Sequence, residues 1–211
     1  MKKINIIIFI FFLFNNLIAF KLQAQINNRI IAKVGEKLIT SIDIQNEIMT
    51  NLIINKQPIT QENINKNKKF AIKNLVNSAI KKIEVNKYEI TDYNRKDLKE
   101  YMVKIAEKLG SDQSGLKEIF NQADIDYEIF VDRYRTELLW NTLIYRLYKN
   151  QTNINIVDVD NEVEKIKENY NDEELKNIKK NLLNKKKEEK LSLFSRSHFS
   201  NLENTININF Q

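Results

Sequence analysis

Ile30 to Val34 is a short β-branched run, and Leu38-Ile39 return along it after Gly35-Glu36-Lys37. Glycine accepts a positive φ, so this pattern predicts a hairpin. Thr40 suits a helix N-cap with Asp43 three residues on, a capping box with a shorter arm than the usual Glu. The apolar spacing then changes to threes and fours: Ile44, Ile48 and Leu52 share one helical stripe. Gln57-Pro58-Ile59-Thr60 closes that helix, and Thr60 with Glu62 or Asn63 starts a short further turn. A strong amphipathic helix covers Phe70 to Val85, with Ile72, Leu75, Val76, Ala79, Ile80 and Ile83 on one face. Ile90-Thr91-Asp92 gives the next N-cap signal, before a helix carrying Leu98, Met102, Ile105, Ala106 and Leu109 that Gly110-Ser111-Asp112 ends.

A short helix over Leu116 to Ala123 leads through Asp124-Ile125-Asp126 into a long one reaching about Tyr148. Phe130, Tyr134, Leu138, Ile144, Leu147 and Tyr148 form its inward face. A short helix to about Tyr170 follows, and Asp172 caps a long charged helix containing Leu175, Ile178, Leu182, Leu193, Phe194 and Phe199. The only other convincing strand is Thr205 to Phe210. A lone two-stranded hairpin is marginal in water. The chain is therefore expected to be mainly α, a multi-helix core in which this last strand joins the N-terminal hairpin in a small antiparallel sheet.

The start of the chain reads differently. Met1-Lys2-Lys3 precedes an apolar run from Ile4 to Phe14 broken only by Asn5; after Asn15-Asn16 it resumes over Leu17 to Phe20. Leu22-Gln23-Ala24 offers a small residue at a cleavage position, the layout of a secretory signal peptide over residues 1–24. The run is short for a membrane span, which needs about 20 apolar residues; an uncleaved anchor is the alternative. Loss of residues 1–24 removes Lys2, Lys3 and Lys21 and takes the formal charge from +6 to +3, 31 basic against 28 acidic residues. So mild a balance points away from nucleic acid. There is no Cys, hence no disulfide framework, and 3 Gly with 1 Pro in 211 residues favour long helices over a many-turned β fold.

From Arg29 to Ile44 the chain resembles the entry to the SurA family of periplasmic chaperones. The similarity continues in order through Leu75-Val76 with Ile80, Ile90-Thr91-Asp92, Ile105-Ala106, Leu116-Lys117-Glu118, Ile125 to Phe130 and Arg133 to Leu139, about residues 28–150. Glu89 stands where a glycine is expected. Asn153 to Asp160 resembles that family's lead-in to a parvulin prolyl-isomerase domain, yet helix and strand follow directly. The resemblance implies a single chaperone domain over residues 25–211: a hairpin and helices over 25–150, and helices and a strand over 151–211 that complete the core. It further implies an ATP-independent periplasmic holding chaperone without cofactor. The partners implied are unfolded or extended polypeptides, above all outer-membrane β-barrel precursors. Neither nucleic acid nor a small-molecule substrate is implied.

The chemistry-bearing residues agree with a non-catalytic reading. A parvulin site needs a His, Cys or Asp cluster around an apolar proline pocket, and here the single His is His198. A lone His without a neighbouring carboxylate in sequence reads as a packing or surface residue. Asp124/Asp126 and Asp158/Asp160 sit at helix starts, where carboxylates cap and complement the dipole. No phosphate loop, nucleophile elbow or metal-ligand spacing occurs. The run Asn184 to Lys190 mixes charge signs as a solvated helix face does, with weak contact to a membrane surface as the functional alternative. The aromatics Tyr127, Phe130, Tyr134, Trp140, Tyr145 and Tyr148 crowd one helix and cannot share one stripe. These six are the candidate client-binding residues, with Trp140 and Tyr145 off the inward face; the structural alternative is that they cover the hairpin or the last helix. Two other functions fit the sequence: an inner-membrane-tethered folding factor and a scaffold for one folded partner.

Overall fold

The computed structural model describes residues 28–211, so the signal segment lies outside the described residues. Strands β1 (Ile30–Val34) and β2 (Lys37–Thr40) form the hairpin, and β3 (Ile208–Phe210) pairs antiparallel with β1, giving the order β2-β1-β3. Gly35 carries φ 54° while Glu36 keeps an ordinary φ, the demand of a type II′ turn. The third strand joins where expected but is shorter, because the last helix continues through Thr205. Ala32, Val34 and Ile39 bury the inner face of this sheet, which is mounted on helices.

Seven α-helices separate the hairpin from β3: α1 (Ser41–Ile54), α2 (Gln61–Lys87), α3 (Arg95–Leu109), α4 (Gln113–Gln122), α5 (Tyr127–Tyr148), α6 (Ile156–Glu164) and α7 (Asp172–Thr205). Thr40 caps α1 with the full box: its hydroxyl accepts from Asp43 N–H, and the Asp43 carboxylate accepts from Thr40 N–H at 2.7 Å. Helix α2 is one element of 27 residues rather than a short turn followed by a second helix. Residues 61–70 hold neither Gly nor Pro, and Ile64 and Ala71 continue its buried stripe. Two other starts shift by a residue or more. Asn94, not Asp92, caps α3, and Asn171, not Asp172, caps α7 in a box with Glu174.

Helix ends follow one rule. After α1, α2, α3 and α4 the chain turns through Lys56, Glu89, Gly110 and Asp124, all at positive φ between 52° and 78°. The two following N–H groups bond back as in a Schellman motif; after α2, Glu89 N–H reaches Asn86 O and Ile90 N–H reaches Val85 O. Ile90 and Ile125, the next residues after two of these turns, are buried. Asp124 thus ends α4 instead of starting α5, whose cap is Asp126.

Three apolar clusters fill the interior. The sheet, α1 and α2 enclose Val34, Ile48, Leu52 and Ile80. Helices α3, α4 and α5 close around Met102, Leu116, Phe120 and Phe130. The C-terminal part of α2 meets α5 and α7 around Val85, Trp140, Leu143 and Ile144. Helix α7 contributes no fully buried residue, and Leu193, expected in a core stripe, is exposed. Its first half instead packs on α6 over the buried Val159, with Lys186–Glu162 and Lys179–Asp160 ion pairs.

Candidate functional site

A groove runs between the β2–α1 corner and the α4–α5 corner. Its deep part is lined by Ile39, Glu47, Leu75, Ala79, Phe130 and Arg133, and its outer part by Ile42, Gln45, Lys117, Asn121, Tyr127 and Glu128. Asn46, Ile125 and Asp126 belong to both parts. The capping box sets one wall, because it fixes where Ile42 and Asn46 leave α1. The Schellman turn at Asp124 sets the other, because it seats Ile125 in the core and starts α5 at once. Apolar side chains remain exposed on both sides: Ile42 at 36% and Ile129 at 49%.

The outer lining is polar and its amides face solvent: Gln45 and Asn121 are exposed and Asn46 is half-buried. Gln45, Asn46 and Asn121 make no side-chain hydrogen bond among the described residues. A side-chain amide offers donor and acceptor together, as a peptide unit does. Three such groups around an apolar floor suit an extended backbone of any sequence. The deep part holds about 130 Å³ and the outer part, open to solvent, about 640 Å³; only the deep part falls below the roughly 300–1,000 Å³ of small-molecule pockets. A narrow deep part behind a wide, open outer part gives room for the side chains of a threaded peptide.

Beneath the groove a buried carboxylate pairs with a half-buried guanidinium. Glu47, 5% exposed, takes the Arg133 guanidinium on one carboxylate oxygen and the amides of Asn51 and Asn74 on the other, at 3.0 and 2.9 Å. This joins α1, α2 and α5 and holds the floor rigid. At the rim, Asp132 accepts from Lys82 at 2.6 Å and from Arg135 at 2.9 Å. Burial alone would raise its pKa, but the two cations outweigh burial and hold the carboxyl below its ordinary value.

The six aromatic candidates divide by what covers them. Phe130, placed on the inward face, is 3% exposed; Trp140, placed off it, is 2% exposed and leaves no free aromatic surface, packing on the last helix as the structural alternative has it. Trp140 lies off the stripe facing α3 and α4, yet α7 covers that second face of α5. Its indole N–H donates to Ser195 Oγ at 2.8 Å and its ring meets Phe199 edge-on. Tyr148 stacks on Phe194, Tyr134 stacks on Tyr101 at 3.6 Å between centroids, and Tyr127 meets Phe120 edge-on. Burial raises the pKa of the Tyr101, Tyr127, Tyr134 and Tyr148 phenols. Of the six, Tyr127 and Phe130 line the groove and Tyr145 is 54% exposed on the opposite side of α5, beside Lys149. Ile42, Ile129 and the amides were not singled out by sequence; nothing marks an exposed Ile or an unpartnered Asn until its neighbours are placed.

His198 has the carboxylate that its sequence neighbourhood lacks. Its Nε2 lies 3.2 Å from Glu84 on α2, and its Nδ1 2.8 Å from the Tyr148 hydroxyl on α5. None of the three lines the groove. Glu84 is 3% exposed, and the trio ties α7 to the body rather than facing a substrate. Among the described residues no group of three or more His, Cys, Asp or Glu is arranged to hold a metal, and no helix is long and apolar enough to cross a membrane. Comparison with protein-family models finds no match, and comparison with curated proteins finds none.

Proposed function

We propose that this protein is a SurA-like holding chaperone of the periplasm, acting without nucleotide or prolyl isomerisation. Its clients are extended segments of unfolded exported polypeptides, outer-membrane β-barrel precursors above all. The observation that carries the reading is the groove: an apolar floor, two exposed isoleucines and three unpartnered side-chain amides, held on a rigid helical frame. Amides match any backbone and isoleucines match any apolar side chain, so the contacts are broad in specificity and individually weak. Several weak contacts lower the free concentration of aggregation-prone chain while leaving release spontaneous. The order of elements over residues 28–150 supports the same reading.

The test is suppression of light scattering when a urea-denatured β-barrel protein is diluted into buffer with the purified chain. The wild type suppresses aggregation near equimolar ratio. Ile42→Glu with Ile129→Glu, both exposed positions that leave the core intact, loses most of that suppression at unchanged urea midpoint. No suppression by the wild type at several-fold excess contradicts the reading.

A further inference from the structure

Among the described residues the sheet has two open edges, and they are built differently. Gly35 N–H bonds Asn207 O at 2.9 Å and Gln211 N–H bonds Ile31 O at 3.0 Å. In an antiparallel ladder hydrogen-bonded pairs alternate, so Lys33 and Asn209, paired between these two, also face each other. The N–H and C=O groups of Ile208 and Phe210 therefore point away from β1 to the open side. By the same alternation, β2 offers only the groups of Leu38. Beside it Lys37 brings a charge, and the Thr40 N–H is taken by Asp43. Charged and capped, that edge carries the devices that discourage strand pairing. Edge β3 is short, three residues, but carries no charge, proline or cap. From Asn204 to Gln211 there is no charged side chain, Ile206, Ile208 and Phe210 alternate with Asn, and Phe210 is 65% exposed.

We propose that the β3 edge is a second client-binding point, which takes up an extended, uncharged, β-prone segment by strand addition through Ile208 and Phe210. The proposal rests on the holding function and names where β-rich clients are selected. Main-chain pairing supplies the affinity, and the Phe210 ring supplies an apolar contact for alternate side chains. A second copy of this chain is a poorer occupant. Two outward residues cover far less than the roughly 1,600 Å² of a standard stable interface. The same weak contact is sufficient when a client is already held elsewhere, because tethering makes the second event intramolecular. Strands β3 and β2 are two strand spacings apart, about 10 Å, so one extended client reaches from this edge to the groove side of the sheet.

Proline is tolerated on an edge strand where its N–H would face outward, which makes Phe210→Pro a selective probe. The protein is purified from cells expressing the full chain. A fluorescein-labelled peptide of alternating Val and Thr is titrated by anisotropy, beside the light-scattering assay. Phe210→Pro weakens peptide binding about tenfold, the loss of main-chain hydrogen bonding. Phe210→Val, which keeps the donor, weakens it less than about threefold on the same scale. N-methylation of alternate peptide residues reproduces the proline effect on the wild type, independent of any folding defect in the variants. Wild-type binding by Phe210→Pro and by the N-methylated peptide overturns strand addition; if the wild type still suppresses aggregation, the groove reading stands alone. Failure of the wild type in both assays overturns both readings. A dimer in sedimentation that Phe210→Pro abolishes assigns the edge to a second copy and overturns the client proposal.

Discussion

Glu89 shows how a single residue departs from its expected type without departing from its role. It ends α2 at φ 52°, in the left-handed region where glycine is at ease, and the buried Ile90 follows as the turn requires. A side chain there costs roughly 1 kcal/mol. Glu89→Gly accordingly raises stability by about that amount, less the extra freedom glycine gives the unfolded chain, measured as a higher urea midpoint at unchanged slope. Asp132 gives the acid limb of stability its shape. Lys82 and Arg135 outweigh its burial and depress its folded pKa. Its contribution is thus complete above the ordinary carboxylate pKa of about 4 and is lost as pH falls through the lower folded value. The stability difference between wild type and Asp132→Asn stays level from neutral pH to about 4 and narrows below it, read by urea titration at each pH.

At the scale of elements, local chemistry was legible and long-range contacts were not. The hairpin, its glycine turn, the Thr40–Asp43 box, the Gly110 stop and the buried faces of α1, α3 and α5 all follow from neighbours within one or two turns. Sequence spacing divides helix α2 in two because residues 61–70 contain only one buried-stripe apolar residue, Ile64; nothing there breaks a helix, so the stronger half propagates through it. Trp140 lies off the one periodic stripe of α5, so sequence leaves open whether it faces a client or the last helix; its neighbours Ser195, His198 and Phe199 on α7 show that it faces the helix. Glu84 and His198 lie 114 residues apart, beyond any spacing argument. That contact decides how α7 is held. His198→Ala leaves the buried Glu84 with Lys87 alone, at 3.4 Å. It costs about 1–3 kcal/mol. Amide exchange rises along residues 191–205 of α7 and in β3, and stays unchanged in α3 and α4.

For the whole molecule, the frame and the proposed binding surfaces are separate features of the chain. Helix α2 touches the sheet, α1, α5 and α7, and two polar clusters tie it to its neighbours on both halves: its Asn74 donates to the buried Glu47 that also holds Arg133, and its buried Glu84 pairs with His198. The apolar residues left outside this frame, Ile42 and Ile129 at the groove and Phe210 at the sheet edge, are not needed to hold the fold. A sequence shows such residues only as ordinary members of a helix or strand. Their exposure at the groove and at the sheet edge is a property of the assembled chain.

The most direct test of the holding role is site-specific photo-crosslinking to an unfolded β-barrel client. A photoreactive residue is placed in turn at Ile129 in the groove, at Tyr145 on the far side of α5 and at Phe70 on the outer face of α2. The account predicts strong client adducts from position 129 and weak ones from 145 and 70, although all three side chains are about half exposed. Equal adducts from the three positions, or adducts from 145 and 70 without 129, would contradict it.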